Sequence, residues 1–163
     1  MHDQRTHVLM FPRYYTVLRL ALPRVSIKDV TYEGITLPKG TVFFLNAWAC
    51  NMDADVWDDP DVFRPERWFE QPDAPMFTYG LGYRMCAGSL LANVELYMVF
   101  IRMLNSFKIE KADDVDCHPV RGSSDPTSLV SMPRRYKARF VPRSPVALEK
   151  SLKEFKAVDW ERV

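Results

Sequence analysis

The sequence predicts an α+β fold, mainly helical, on three observations. Between Leu90 and Leu104 apolar residues recur at three- and four-residue steps, the period of a helix face. Residues 25–46 and 107–143 hold short runs rich in Val, Ile, Phe, Tyr and Thr, broken by Gly, Pro and Asp, which is the pattern of small sheets. Between the first of these regions and the helix, residues 47–76 carry Pro60, Pro65, Pro72 and Pro75 among many aspartates, too interrupted for a long element.

Taken in order, residues 1–12 are an atypical start, with Pro12 expected to break any helix there because it cannot donate to the preceding turn. Residues 13–46 are a helix end followed by a small sheet. "YYTVLRLALPR", residues 14–24, reads as the last turns of a buried helix that Pro23 ends, and Glu33-Gly34 and Pro38-Lys39-Gly40 supply turns between strands. Residues 47–76 form a meander with a short helix over 52–57. Such a long irregular stretch is uncommon in a compact domain unless it serves something. Residues 77–106 are a cysteine loop leading into a helix whose apolar residues fall on nearly every side, so burial all round is expected. Residues 107–143 hold C-terminal strands in "FKIEK", "TSLVSM" and "YKARFVP". Residues 144–163 are a surface helix, with Ser144 as N-cap, Pro145 at the first position and Leu148, Leu152 and Phe155 on one stripe. The whole reads as one partial domain over 1–163.

Charge excludes more than it suggests. Lys and Arg number 22 against 21 Asp and Glu, so there is no global basic field of the kind that draws nucleic acid. No stretch approaches the length of a membrane span, and the start is too polar for a signal sequence. Cys50, Cys86 and Cys117 are an odd number at wide spacing, without a CxxC pair, so reduced thiols are expected. An intracellular, cytoplasmic chain follows as the expectation.

The chemistry concentrates in "GLGYRMCAGSLLANVELY", residues 80–97. Three of the six glycines, Gly80, Gly82 and Gly88, surround Cys86. A dinucleotide fingerprint fails because Met85 stands where the third glycine is needed, and the Lys-Ser/Thr pair of a phosphate loop is absent. A reactive thiol at a helix start explains Cys86 but not Arg84 or the doubled glycines. A zinc set of Cys50, Cys86, Cys117 and His118 lacks close paired spacing. A haem thiolate uses every residue: Gly80 and Gly82 leave backbone without Cβ atoms beside a flat macrocycle, and Arg84 can meet a propionate. The helix start near Ala87 favours thiolate, and Gly88 lets the helix sit close. Cys50 and Cys117 are expected to be small buried hydrophobes.

"YGLGYRMCAG" resembles the haem-ligand signature of cytochrome P450 monooxygenases, Phe-x-x-Gly-x-Arg-x-Cys-x-Gly, with Gly82, Arg84, Cys86 and Gly88 in place and Tyr79 where the Phe normally lies. "FRPERW", residues 63–68, resembles the family's Phe-x-Pro-Glu-Arg-aromatic segment, in the expected order. The wording of "FTYGLGYRMCAGSLLANVELY" and "YYTVLRLALPR" is similar to fungal phenylacetate hydroxylase-type members. The resemblance covers the C-terminal portion of such an enzyme. It implies haem b (iron protoporphyrin IX), with Cys86 as axial thiolate on the iron and Arg24 as a second propionate arginine. It also places Leu20, Ala21, Leu22, Leu129 and Val130 at the substrate pocket. For the intact enzyme it implies an NADPH-dependent reductase, hydroxylation of a small organic, aromatic-acid type substrate, and the endoplasmic reticulum surface if an N-terminal anchor is present.

One departure stands out. Met10 occupies the position of the family's glutamate, which bridges two guanidinium groups, here Arg13 and Arg67, so these two are expected to repel. A truncated product or a misplaced start is the simplest account of residues 1–12. The long central helix with its acid-threonine pair is also absent from the sequence. Two alternatives therefore stand beside the enzyme reading: a catalytically inactive, truncated haem-binding remnant, and a cofactor-free interaction module.

Overall fold

The first helix, α1 (Gln4–Tyr15), runs straight through Pro12 in the computed structural model, which describes residues 4–125 and 127–156. Pro12 therefore does not break the helix as expected, although an interior proline costs roughly 3 kcal/mol. The Pro12 carbonyl is well held, accepting from Thr16 N at 3.0 Å and from Thr78 Oγ1 at 2.8 Å, which ties the end of the helix to the distant residue 78.

The helix expected over residues 14–24 ends instead at Tyr15, well before Pro23. Thr16 takes φ 35° and Ala21 φ 48°, a region that a β-branched residue such as Thr16 enters only under constraint. The constraint is a pair of hydrogen bonds: Thr16 Oγ1 donates to the Arg13 carbonyl at 2.6 Å and accepts from Asn51 Nδ2 at 2.9 Å. Residues 17–23 then run as loop, with Leu18 bridged to Val130.

Small sheets follow as expected. β1 (Arg24–Val25) pairs antiparallel with β4 (Val42–Phe43), and β2 (Val30–Tyr32) with β3 (Ile35–Leu37). Glu33 and Gly34, at φ 50° and 78°, make the tight turn between β2 and β3, since a two-residue hairpin loop with both residues left-handed matches the twist of its strands. The short helix lies at α2 (Ala47–Asn51), ahead of the expected 52–57, because Asn46 Oδ1 caps Ala49 N at 3.1 Å. Residues 53–57 make a single turn closed by Trp57 N to the Asp53 carbonyl at 2.9 Å. α3 (Arg67–Glu70) interrupts the meander.

α4 (Ser89–Ser106) contains no buried residue, and Leu90 is 81% exposed. The expected all-round burial is thus not found: a helix needs elements on every side to be covered, and this chain supplies α1 and β5 (Phe107–Lys111). β5 pairs antiparallel with β6 (Ala138–Pro142). "TSLVSM" is not a strand. It is held by scattered contacts instead of a ladder: the Leu18 bridge, bonds from Ser131 N to the Val17 carbonyl and from Ser124 N to the Met132 carbonyl, each at 2.8 Å, and Arg19 Nη2 to Ser131 Oγ at 2.9 Å. α5 (Pro145–Lys156) starts as expected, with Ser144 Oγ accepting from Ala147 N at 3.3 Å. Residues 157–163 of the expected tail helix lie outside the described residues.

The core is small: Met10, Tyr14, Trp57 and Trp68, with Trp57 and Trp68 edge to face at 5.5 Å. The exposed surface is 12653 Å², whereas size scaling gives roughly 8,400 Å² for a monomer of this mass. Exposed large apolar side chains along α4, the β2–β3 hairpin and the 17–25 segment contribute to the excess.

Candidate functional site

The cysteine loop is anchored from below by Asn51. This side chain, fully buried, accepts from Phe77 N at 2.9 Å and donates to Thr16 Oγ1 and Thr78 Oγ1 at 2.9 and 3.1 Å. It therefore ties the end of α1 to the strand of chain entering the loop. Sequence reading missed it, because a single asparagine at a helix end has no pattern that announces three distant partners.

Beyond Thr78 the chain turns twice. Gly80 N bonds the Phe77 carbonyl at 2.9 Å, and Gly82 opens a single 3-10 turn, Gly82–Arg84, closed by Met85 N to the Gly82 carbonyl at 3.1 Å. Gly80 and Gly82 take φ 80° and 62°, so glycine is demanded by backbone conformation as well as by any approaching group. A Cβ on Gly82 would meet nothing within 4 Å, and one on Gly88 would meet only Cys86 Sγ at 3.9 Å. That face of the loop is open within this chain.

Cys86 is exposed, and its N–H donates to the Tyr79 carbonyl at 2.8 Å. Its own carbonyl accepts from Ser89 N at 3.2 Å, so the cysteine is fixed on both sides where α4 begins. Tyr79, half-buried, donates from its hydroxyl to Asn93 Oδ1 at 2.8 Å. Burial raises its phenol above the ordinary range, with the neighbouring Cys86 adding to the effect.

Arg24 reaches the loop from β1, its Nη2 donating to the Arg84 carbonyl at 3.3 Å. The two arginines singled out from sequence are thus together at the loop, and the Arg84 side chain makes no hydrogen bond or ion pair among the described residues. Leu18–Val130 bridging also brings the 17–22 segment beside 129–131. Leu20, Leu22, Leu129 and Val130 are exposed there, at 45%, 54%, 52% and 40%, and Ala21 holds its left-handed φ. They do not line the two main grooves. One, of about 530 Å³, lies between Phe11, Tyr14, Tyr15 and the 116–121 loop, and the other, of about 490 Å³, lies beside Arg64 and Arg67.

Arg13 and Arg67 sit behind the loop, 0% and 2% exposed. Backbone carbonyls serve both: Arg13 donates to Asn51 O at 2.5 Å and Pro60 O at 2.9 Å. Arg67 donates to Asp58 O, Asp59 O and, at 3.1 Å, Val62 O. Arg13 also lies over the Trp57 ring at 4.7 Å. Neither Nε finds a partner. Burial first, and Arg67 second, lower Arg13 to a pKa of about 10. Arg67 is lowered by burial and then by Arg64. Met10 is fully buried in the core cluster with Trp57, the ring that Arg13 overlies.

The remaining cysteines differ from expectation: Cys50 is half-buried and Cys117 exposed. Among the described residues no cluster of three His, Cys, Asp or Glu side chains could hold a metal ion, so the four zinc ligands considered from sequence are not assembled.

Comparison with known proteins adds the following. The family model described as Cytochrome P450 matches residues 12–140. The chain is 72% identical over 141 residues to 3-hydroxyphenylacetate 6-hydroxylase of Emericella nidulans, covering 86% of this chain and 27% of that protein. It is 37% identical over 150 residues to phenylacetate 2-hydroxylase of the same organism, covering 87% of this chain and 29% of that one. A solved zebra fish cytochrome P450 with abiraterone superposes with a TM-score of 0.74 at 29% identity, over 86% of this chain and 33% of the other. The chain thus spans about 27% to 33% of the length of these relatives.

Proposed function

Because the chain belongs to the cytochrome P450 family, we propose that it binds haem b through the Cys86 thiolate and forms the cysteine-bearing half of a monooxygenase site. The observation that carries this reading is the loop itself. Cys86 is exposed, pinned by its N–H to Tyr79 and placed where α4 begins. It lies in a loop whose face at Gly82 is open. An open face, a fixed thiol and a free guanidinium at Arg84 fit a flat, dianionic macrocycle.

When bound, the haem supplies the redox chemistry that activates dioxygen for hydroxylation. The protein's own residues hold and tune it. Cys86 donates sulfur electron density, the start of α4 steadies the thiolate, and Arg84 and Arg24 offer their guanidinium groups to the propionates. Gly88 leaves bare the side of the sulfur that a Cβ there would touch at 3.9 Å. Leu20, Ala21, Leu22, Leu129 and Val130 form one apolar edge that a small substrate would meet. The names of the two Emericella nidulans relatives point to a phenylacetate or hydroxyphenylacetate as that substrate. Electrons would come from an NADPH-dependent reductase. None of the described helices is long and apolar enough to cross a membrane, so endoplasmic reticulum attachment would need an anchor outside them.

The uncovered surface of α4 favours a second reading, in which this chain holds haem without turning over. Expression with haem precursor separates the possibilities. The reduced, carbonyl-bound protein should show the strongly red-shifted Soret band of a thiolate haem, lost in Cys86→Ser and kept in Cys50→Ser and Cys117→Ser. Loss with either of the latter and not the former would sink the ligand assignment. Product formation from phenylacetate with a competent reductase would sink the inactive reading, and absence of haem altogether would leave the cofactor-free module.

A further inference from the structure

We propose that Tyr79 is a positioning residue for Cys86, its hydroxyl clamping the cysteine loop onto α4 through Asn93. The inference rests on the reading of Cys86 as haem ligand. One residue touches both ends of the loop. The Tyr79 carbonyl accepts from Cys86 N at 2.8 Å, and its phenol donates to Asn93 Oδ1, also at 2.8 Å, just past the first turn of α4.

Between these two contacts lie Gly80 and Gly82, the most pliant part of the segment, both left-handed. Without the clamp, the loop would be referred to α4 only through the backbone around Cys86. With it, the cysteine, the helix start and the Tyr79 ring form one closed unit. A phenylalanine at this position could pack its ring but could not make the bond to Asn93.

The test compares Tyr79→Phe, Asn93→Leu, Asn93→Asp and the Tyr79→Phe/Asn93→Leu double variant, in the full chain without haem and again with it. Without haem, amide exchange at Cys86 should speed up roughly three- to tenfold in Tyr79→Phe and in Asn93→Leu, the effect of losing one hydrogen bond. The double variant should match either single variant, because both remove one contact. Asn93→Asp, which keeps an acceptor, should restore the slow exchange. With haem, the fraction showing the thiolate-type Soret band should fall in the same two single variants and recover in Asn93→Asp. Unchanged exchange in Tyr79→Phe, additive single effects, or no rescue by Asn93→Asp would each overturn the clamp. Failure of the Cys86 assignment would appear separately, as no red-shifted band in the unsubstituted chain or one that survives Cys86→Ser, while the exchange results stand.

Discussion

The region around α1 and the meander holds the buried core and its polar anchors, whereas the region around α4 holds the candidate ligand and buries none of its helix. Met10, Arg13, Thr16, Asn51, Trp57 and Arg67 are at most 2% exposed, and Leu90, Leu91 and Val94 are 81%, 63% and 59% exposed. The two regions meet at residues 77–79, where Asn51 fixes the incoming chain and Tyr79 passes that constraint on toward Cys86. The lesson is that the order of the cysteine loop is borrowed from the first region. Substitutions should therefore act very differently in the two.

The largest contrast is between Trp57→Ala and Leu90→Ser. Trp57 is 1% exposed and packs on Trp68 beneath the Arg13 guanidinium, so its truncation should cost about 3–5 kcal/mol. Leu90, on the open face of α4, should change stability by less than about 0.5 kcal/mol. Urea midpoints at equal m-values measure both. A cost for Leu90→Ser approaching that for Trp57→Ala would mean that α4 is covered in solution, by another copy or another chain.

How much of this was legible in the sequence depends on how local its causes are. The β2–β3 hairpin could be read because Glu33-Gly34 specifies its own turn, and the start of α5 because Ser144 and Pro145 are adjacent to what they cap. The cysteine loop was conspicuous because its glycines, arginine and thiol are close in sequence. The end of α1 was hidden because Thr16 is held left-handed by Asn51, 35 residues away. The fate of Pro12 was hidden too, because the tertiary contact at its carbonyl comes from Thr78, 66 residues on. The exposure of α4 was hidden for another reason: periodicity states which faces are apolar and says nothing of what covers them.

A smaller effect is expected at the buried arginines. Met10→Glu would bring a carboxylate into the core that holds Trp57 under the Arg13 guanidinium, and the Nε atoms of Arg13 and Arg67 lack partners. The lowering of Arg13 from its ordinary value to about 10 corresponds to a cost of roughly 3 kcal/mol, part of which a buried counter-ion would recover. Met10→Glu should stabilise by about 2 kcal/mol, the scale of a hydrogen bond to a charged group, and Met10→Leu should leave stability nearly unchanged. If Met10→Glu destabilises instead, the carbonyls of Asn51, Pro60 and the 58–62 turn already satisfy both guanidinium groups, and the glutamate adds only its desolvation cost.

The smallest effect is an alkaline one, and it sets the two regions against each other within one titration. Burial raises Tyr14 and Tyr15 in the α1 region and Tyr79 at the loop above the ordinary phenol value of 10.0. An acid whose folded pKa lies above its unfolded one binds its proton more tightly when folded. Its stabilisation is therefore complete below pH 10 and is lost as pH rises through the folded value. Arg13 has the opposite sign. Its folded pKa of about 10 lies below the ordinary guanidinium value, so its cost is complete below pH 10 and fades as pH rises above it. The phenols should make stability fall above pH 10, and Arg13 should soften that fall. Tyr14→Phe and Tyr79→Phe should each flatten the fall, whereas Met10→Glu, by returning Arg13 toward its ordinary value, should steepen it. Denaturant midpoints taken from pH 8 to pH 11, alongside phenolate absorbance, resolve the two contributions. An alkaline limb that Met10→Glu leaves unaltered would mean that Arg13 keeps its lowered pKa beside the new carboxylate, and that the carboxylate does not face the guanidinium.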